Sequence, residues 1–307
     1  MKILVPSGQT EDLVRFAEVE EPAPRPNQAV IAVEAFSVNR GEMFLLMKPR
    51  EGLRPGKDIA GRVVAAAADG TGPAVGTRVV AHPPYGGWAE RAAVDTADIV
   101  ALPDNIDVET AAALPLAGLT ALRLVRTAGS LIGKRVLITG ASGGVGHYFV
   151  ELAYASGAEV TAVSASPERG RRLAELGAAE VVHDVGDAEG PFDIVLESVG
   201  GDAAVQSLGK VAKRGSYIWF GQASRTPATF SFFEFFAGPE SGTIRHFHYA
   251  DSDEPYGPDL RTLVRLVETG RLHPEISRVA DWADTGAVID DLRERRLRGK
   301  AVLRVSQ

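Results

Sequence analysis

The chain has 307 residues, which at roughly 100 to 200 residues per domain predicts two domains. Hydrophobic residues make up 45% and charged residues 24%, with 33 glycines and 18 prolines, so the composition excludes disordered, collagen-like and coiled-coil proteins. The net charge of -7 argues against a nucleic-acid partner, because phosphate backbones attract a basic excess. The absence of cysteine excludes disulfides, a thiolate nucleophile and cysteine-ligated zinc.

The N-terminal third of the chain is predicted to form a β-rich unit. Apolar runs rich in β-branched residues, cut by glycine and proline, predict strands at 29–36, 59–66 and 78–81. The opening apolar run is broken by Pro6, too early for the core of a signal peptide. No stretch approaches the roughly 18 uncharged apolar residues that a membrane span requires. We therefore expect a soluble, cytoplasmic protein.

From Ser130 onward, short apolar runs alternate with amphipathic helical stretches. The pattern predicts strands at 135–139, 160–164, 194–198 and 217–220, and helices at 145–156, 167–176, 203–212, 259–268 and 284–295, with a closing strand at 301–305. Such alternation is typical of a parallel sheet with helices on both faces. The polar segment 251–258 is a candidate linker, and His246 and His248 are expected to alternate in a strand that flanks an interface.

A glycine-rich segment joins the first strand of this alternating region to its first helix. Residues 139–146 read Thr-Gly-Ala-Ser-Gly-Gly-Val-Gly. Glycine permits a tight turn and a close approach of backbone to a pyrophosphate, while the helix N-terminus offers N–H donors and partial positive charge. Ala141 departs from the simple G-x-G-x-x-G spacing, so the fingerprint is shifted. The context of strand, turn and helix predicts a dinucleotide site.

The end of the next strand predicts which nicotinamide cofactor is bound. An NAD site expects an Asp or Glu about 20 residues beyond the glycine loop, to bind the ribose 2′-hydroxyl. This strand instead ends in small hydroxyl residues, including Ser164, and Arg169 follows in the first turn of the predicted helix. A guanidinium suits a 2′-phosphate because it can donate two hydrogen bonds to it. The sequence therefore favours NADPH over NADH.

Several linked segments resemble the medium-chain dehydrogenase/reductase superfamily and, within it, the zinc-free NADPH-dependent quinone oxidoreductase branch. These segments are residues 36–42, 55–63, 75–79, 86–90, 116–121, 134–146 and 197–201. The resemblance implies an α/β fold, with a Rossmann doubly wound parallel sheet plus a GroES-like β-rich catalytic domain. It places the catalytic domain at residues 1–116, completed by 257–307, and the NADPH-binding Rossmann domain at 117–256. Members of this branch are commonly dimers, so a homodimer is expected.

The same resemblance assigns roles to individual residues. Asn39 would lie beside the nicotinamide and the substrate carbonyl, where its amide could donate to an oxygen that gains charge. A loop Asn that caps its own turn is the alternative. The cofactor-lining positions implied are Asn39, Thr120, Ser142, Gly143, Gly144, Val145, Ser164, Arg169, Ser198, Phe220 and Gly221. Glu42 and Tyr85 are candidate proton relays, although a solvated surface position is expected for both.

The resemblance also bears on metal binding. Zinc alcohol dehydrogenases of the superfamily have a cysteine where Asn39 falls and a histidine–glutamate pair where Lys57 and Asp58 fall. Those ligands are missing from this chain, and its histidines are scattered along the sequence. No metal site is therefore expected.

The resulting functional hypothesis is hydride transfer from NADPH to a quinone or an α,β-unsaturated carbonyl compound. The aromatic run 230–236 would line an acceptor pocket, or serve core or dimer packing. A short-chain-type carbonyl reductase is a weaker alternative, because no Tyr has Lys four positions later and the glycine loop begins only at Thr139. A non-catalytic NADPH-binding sensor protein is the third hypothesis, since a fold does not determine function.

Overall fold

The structure is a computed structural model that describes residues 1–236 and 238–306. Contacts divide the chain into two compact units, of which the first combines Met1–Leu119 with Asp253–Gln307 and the second is Thr120–Ser252. The first unit is thus built from both ends of the chain. Within the described residues, no helix combines the length and the apolar character that crossing a bilayer requires.

Strands outnumber helices among the residues that the structure describes. The strands are β1 (Lys2–Pro6), β2 (Val14–Glu18), β3 (Gln28–Ser37), β4 (Ile59–Ala65), β5 (Arg78–Ala81), β6 (Arg91–Asp95), β7 (Ile99–Ala101), β8 (Arg135–Ile138), β9 (Glu159–Val163), β10 (Glu180–Val182), β11 (Phe192–Glu197), β12 (Val211–Trp219), β13 (Thr243–His246), β14 (Ile276–Asp281) and β15 (Lys300–Arg304). The helices are α1 (Arg40–Met47), α2 (Val108–Ala112), α3 (Pro115–Ala128), α4 (Gly144–Ala155), α5 (Pro167–Glu175), α6 (Gly201–Gly209), α7 (Gly257–Glu268) and α8 (Thr285–Arg293).

The first unit is organised around a sheet in the order β14-β15-β3-β4-β5-β7, with β6 also paired to β3. Its central strand β3 is long and largely buried, and it pairs antiparallel with β4, β6 and β15. Pairing of Val302 with Ser37 brings the C-terminal strand beside the start of α1. This register explains how a residue near the C-terminus can meet residues near position 40.

The second unit is a sheet of parallel strands in the order β10-β9-β8-β11-β12-β13. Its inner strands are almost entirely buried, as strands covered on both faces must be. The chain leaves β8 towards β9 on one side and later places β11 on the other side. The carboxyl ends of β8 and β11 therefore flank a reversal of strand order, where ligands bind in such sheets. The predicted doubly wound parallel sheet is confirmed.

Several element boundaries differ from those predicted. The strand predicted at 217–220 begins at Val211, because it continues through exposed polar residues that carry no apolar signal. Helix α1 was not predicted. Strand β13 ends at His246, so the expectation that His248 shares this strand is wrong.

Candidate functional site

The glycine loop connects β8 to α4 and requires glycine at two of its positions. Gly140 has a φ of +63°, and a Cβ added there would lie 2.9 Å from Ser198 Oγ. A Cβ at Gly146 would lie 2.2 Å from the carbonyl oxygen of Ala141, closer than any real side chain could come. The first turn of α4 therefore packs directly on the backbone of the loop. This is the tight strand-to-helix turn predicted from the sequence.

The N-terminus of α4 presents backbone donors that no described side chain caps. Its N-cap is Gly143, which has no side chain to accept from the first turn. The segment Gly143–Val145 is partly exposed, whereas Ser142 is buried. The free N–H groups of a first turn and the helix dipole together favour an anion at this position. The cradle thus fits the pyrophosphate of a dinucleotide.

A buried carboxylate, Glu197, supports the loop from the neighbouring strand. Glu197 Oε1 accepts hydrogen bonds from Val199 N at 2.6 Å, Gly200 N at 2.9 Å and Thr139 Oγ1 at 3.2 Å. Ser198 donates to Thr139 O at 3.2 Å, which ties the ends of β8 and β11 together. Burial raises the pKa of Glu197, and the backbone donors offset part of that rise. Sequence reasoning missed this support, although a carboxylate directly after the apolar run 194–196 was a visible signal.

Ser164 and Arg169 lie at the junction of β9 and α5. Ser164 is buried and donates to the carbonyl of Ser166 at 3.3 Å. Ser166 is the N-cap of α5 and accepts from Arg169 N at 3.4 Å. Arg169 therefore lies in the first turn of α5, where its side chain is partly exposed. No carboxylate occupies residues 164–167, and Glu168 follows in the first turn of α5.

The remaining predicted cofactor residues divide between two locations. Phe220 follows β12, and its N–H donates to Glu197 O at 2.9 Å. A Cβ at Gly221 would lie 3.1 Å from Ser198 Cβ, so this pair lies beside the ends of β8 and β11. Thr120 lies within α3, where it is buried.

Asn39 belongs to a buried polar cluster in the first unit, formed by Ser37, Asn39, Glu42, Asp58 and Lys300. Asn39 Nδ2 donates to Asp58 Oδ2 at 2.7 Å and to Glu42 Oε2 at 3.1 Å. Lys300 Nζ donates to Asn39 Oδ1 at 2.6 Å and to Asp58 Oδ2 at 3.1 Å. Both amide hydrogens of Asn39 are thus used inside the cluster. Donation to a substrate oxygen requires that one of these bonds be exchanged.

The two carboxyl groups of the cluster have opposite electrostatic environments. Burial by itself would raise the pKa of Asp58, but Lys300, together with His82 and Asn39, lowers it well below its usual range. Burial, reinforced by the nearby charge of Asp58, raises the pKa of Glu42 to about 7. Asp58 is therefore held as a carboxylate paired with Lys300, while Glu42 can hold a proton near neutral pH.

The expected surface position of Glu42 is wrong, because this side chain is only 2% exposed. It occupies the third position of α1, where Glu42 Oε2 accepts from Asn39 N at 3.0 Å. Glu42 Oε1 accepts from Gly56 N at 2.9 Å. The spacing Asn-x-x-Glu before an apolar run is a helix-start signal that could have revealed both α1 and this role. Tyr85, by contrast, is exposed as expected.

Glu42 and Tyr85 nevertheless border the same small pocket of the first unit. The lining consists of Glu42, Leu45, Leu53, Arg54, Pro55, Gly56, Lys57, Pro84 and Tyr85. Its walls are mainly apolar, with two cationic side chains and one buried acid. Sequence reasoning did not bring these residues together, because they come from three separate segments.

The aromatic run at 230–236 divides into two sets. Phe230 and Phe235 pack against the core of the second unit. Phe232, Phe233 and Phe236 are exposed, and Phe232 contacts each of the other two edge to face. Core packing therefore accounts for part of the run, and an exposed aromatic cluster remains.

Two family models match the chain. One, described as an alcohol dehydrogenase GroES-like domain, matches residues 25–104, and one described as a zinc-binding dehydrogenase matches residues 176–303. The second description implies zinc, but the residues present do not fit this ion. Among the residues that the structure describes, no group of three or more His, Asp or Glu could hold a metal. The oxygens of Asn39 and Asp58 already share the ammonium of Lys300.

Known proteins match over the full length of the chain. A quinone oxidoreductase of Pseudomonas aeruginosa is 29% identical over 320 aligned positions, covering 95% of each chain. The solved quinone oxidoreductase of Pseudomonas syringae is 26% identical with a TM-score of 0.87, covering 99% of each chain. The Escherichia coli quinone oxidoreductase complexed with NADPH has a TM-score of 0.88 at 20% identity, covering 99% of this chain and 100% of its own. The chain therefore belongs to the medium-chain dehydrogenase/reductase superfamily, within its quinone oxidoreductase branch.

Proposed function

We propose that this protein is an oxidoreductase that uses NADPH to reduce a quinone or an α,β-unsaturated carbonyl compound without a metal ion. The observation that carries the proposal is the cradle between β8 and α4. Glycine is required at Gly140 and Gly146, and no described side chain caps the helix that follows. Such a turn brings backbone donors close to a pyrophosphate.

The preference for NADPH rests on the end of β9. Small hydroxyl residues stand there instead of a carboxylate, and Arg169 follows in the first turn of α5. A carboxylate would repel a 2′-phosphate, whereas a guanidinium attracts it and can bind two of its oxygens. We therefore assign Ser164 and Arg169 to the 2′-phosphate.

The residues of the chain bind and orient the reactants in this proposal. When bound, NADPH supplies the hydride that reduces the acceptor. The residues assigned to the cofactor are Thr120, Ser142, Gly143, Gly144, Val145, Ser164, Arg169, Ser198, Phe220 and Gly221, and Asn39 is assigned to both cofactor and acceptor. Orientation of reactants in a near-attack geometry can lower a barrier by about 7 to 11 kcal/mol. A large share of the rate can therefore come from positioning.

The metal-independent part of the proposal rests on Lys300. Its ammonium supplies positive charge to Asp58 and to Asn39 Oδ1 inside the buried cluster. A divalent cation at the same oxygens would be repelled by this charge. We expect dialysis against a chelator to leave turnover unchanged, and loss of turnover that zinc restores would contradict the metal-free proposal.

The experiment that tests the function measures oxidation of NADPH with a panel of quinones and enones. Turnover with at least one acceptor class is expected, together with weaker use of NADH. Tight binding of NADPH without turnover on any acceptor would favour the sensor hypothesis. The short-chain alternative has no support in the strand order, since the glycine loop lies in the second unit, after the β-rich first part of the chain.

A further inference from the structure

We propose that His183 is a specificity-determining residue of the cofactor site, whose imidazolium binds the 2′-phosphate of NADPH from the end of β10. The inference rests on the proposed function, because it adds a third side chain to Ser164 and Arg169, which are assigned to that phosphate. It also goes further, since it couples the choice of NADPH over NADH to a proton held by the protein.

The position of His183 follows from the register of two parallel strands. Val182 of β10 is the partner of Val163 of β9, and Ser164 N donates to Val182 O at 2.9 Å. The next residues, Ser164 and His183, therefore lie side by side where the two strands end. The end of the strand that follows a glycine loop and its helix is where the adenosine ribose of a dinucleotide is bound. His183 thus lies beside the position expected for the 2′ substituent of this ribose.

Two contacts connect this strand end with the neighbouring parts of the proposed site. The N–H of Ala141, in the glycine loop, donates to Val163 O at 3.0 Å. A Cβ added at Gly170, directly after Arg169, would lie 2.8 Å from Val181 Cγ1, so the start of α5 packs closely on β10. The glycine loop, the start of α5 and the end of β10 therefore border the same end of this sheet.

The hydrogen bond of the His183 ring determines which of its nitrogens carries hydrogen. Nδ1 lies 2.9 Å from Ser164 O, and a carbonyl oxygen can only accept, so Nδ1 is the donor. In the neutral ring Nε2 is then an acceptor, which repels a phosphate oxygen, whereas in the protonated ring Nε2 is a charged donor. His183 is exposed, and within residues 1–236 and 238–306 no group is bonded to Nε2.

The charges around His183 determine whether the second proton is favoured. The start of α5 contributes Glu168 and Arg169, and the turn that follows β10 contributes Asp184 and Asp187. Arg169 opposes a second cation, whereas the three carboxylates favour one. A bound 2′-phosphate adds further negative charge, and hydrogen bonds between ionised partners are stronger than neutral ones. Binding of NADPH should therefore draw a proton onto His183, and binding of NADH should not.

The decisive variant is His183→Asn. The amide nitrogen of asparagine can take the place of Nδ1 and donate to Ser164 O, but nothing replaces Nε2. At about pH 6.5, where imidazolium is well populated, we expect the affinity for NADPH to fall about 10-fold or more, the effect of one hydrogen bond to a charged group. The affinity for NADH should stay unchanged. Titration calorimetry without an acceptor measures both.

His246→Asn is the matched control for this variant. His246 is an exposed histidine of β13, which forms the opposite edge of the same sheet from β10. Its replacement should change neither the affinity for NADPH nor the affinity for NADH.

The pH dependence separates an ionic contact from a structural role. Histidine changes charge between about pH 5 and 8. The ratio of wild-type to His183→Asn affinity for NADPH should therefore fall towards one as the pH rises to about 8, because the imidazolium is lost. Titration of the phosphate itself cancels from this ratio, since both proteins bind the same cofactor. A ratio that stays constant with pH, or a loss shared equally by NADPH and NADH, would overturn the proposal.

Proton uptake tests the same claim on the wild-type protein alone. Calorimetry at about pH 7.5, where histidine is mostly neutral, can be repeated in buffers of different ionisation enthalpy. Binding of NADPH should take up more protons than binding of NADH. Equal uptake for the two cofactors would exclude the role of His183 even if His183→Asn failed to fold.

Failure of this proposal differs from failure of the proposed function. A preference for NADPH that His183→Asn retains in full would remove His183 from the site and leave the assignment of Ser164 and Arg169 intact. Absence of turnover with every acceptor would overturn the proposed reaction, and calorimetry with the two cofactors would still decide the role of His183.

Discussion

At the scale of single residues, the least expected contacts are those that Lys300 makes. It is 3% exposed and pairs with Asp58, which is fully buried. Asn39 and Lys300 are 261 positions apart in the sequence. Their side chains come within hydrogen-bonding distance because β15 pairs with β3. No local pattern predicts such a contact. The sequence could predict a site role for Asn39. It could not show that the side-chain amide already donates to Asp58 and Glu42 and accepts from Lys300.

Removal of Lys300 should destabilise the first unit strongly. Lys300→Met would leave Asp58 buried without its cation, and breaking a buried pair from one side typically costs about 3 to 5 kcal/mol. Denaturant unfolding would measure the change in the free energy of unfolding. Lys134→Met is the control, because its pair with Asp193 is exposed and such pairs contribute about 0 to 1 kcal/mol. Equal small losses for the two variants would contradict this account of the cluster.

Arg169 is the residue to which the proposed function assigns the preference for NADPH. Arg169→Ala should weaken NADPH binding by about 1.5 to 3 kcal/mol, the contribution of a hydrogen bond to a charged group. NADH lacks the 2′-phosphate, so its affinity should hardly change. Titration calorimetry with both cofactors would measure this difference. Arg171→Ala, an exposed position on the same helix, is the control. Equal losses for NADPH and NADH would contradict the assignment.

Among the elements, the junction between β8 and α4 was the most predictable from sequence. The apolar strand, the glycine turn and the helix occur within a short stretch, so local rules suffice to recognise them. The helix predicted at 145–156 is observed as Gly144–Ala155. Helix α1 is short, with its start marked by only Asn39 and Glu42, and was therefore missed. The support of the glycine loop by Glu197 depends on the adjacency of β8 and β11, which follows from the sheet order.

Gly146 tests the geometry of the cradle. Gly146→Ala would place a Cβ 2.2 Å from Ala141 O, so either α4 or the loop must move. We expect a large loss of NADPH affinity and a lower melting temperature. Gly209→Ala is the matched control, because its Cβ meets nothing within 4 Å at the end of α6 in the same unit. Unchanged NADPH binding by Gly146→Ala would exclude the close packing described for this loop.

At the scale of the whole molecule, the expected homodimer remains a proposal. It can be tested by substitution at the exposed sheet edge of the second unit. Within the described residues its sheet ends in β13, which pairs only with β12 and whose residues are all exposed. A sheet edge of this kind is available to a second copy of the chain. The exposed aromatic cluster of Phe232, Phe233 and Phe236 is a further apolar surface of the same unit.

Sedimentation velocity should therefore show a dimer that Ile244→Lys converts to a monomer. Ile244 lies on β13 and is 45% exposed. Val279→Lys is the control, since Val279 is equally exposed on β14, the edge strand of the other sheet. A wild-type monomer at micromolar concentration, or a dimer that Ile244→Lys leaves intact, would argue against assembly through this edge.

The most direct measurement of the central claim is a crystal structure of the protein with NADPH. We predict that pyrophosphate oxygens accept hydrogen bonds from backbone N–H groups of Gly144 and Val145, with the 2′-phosphate beside Ser164 and Arg169. Pyrophosphate bound elsewhere, with the turn between Thr139 and Gly146 closed to it, would contradict the account.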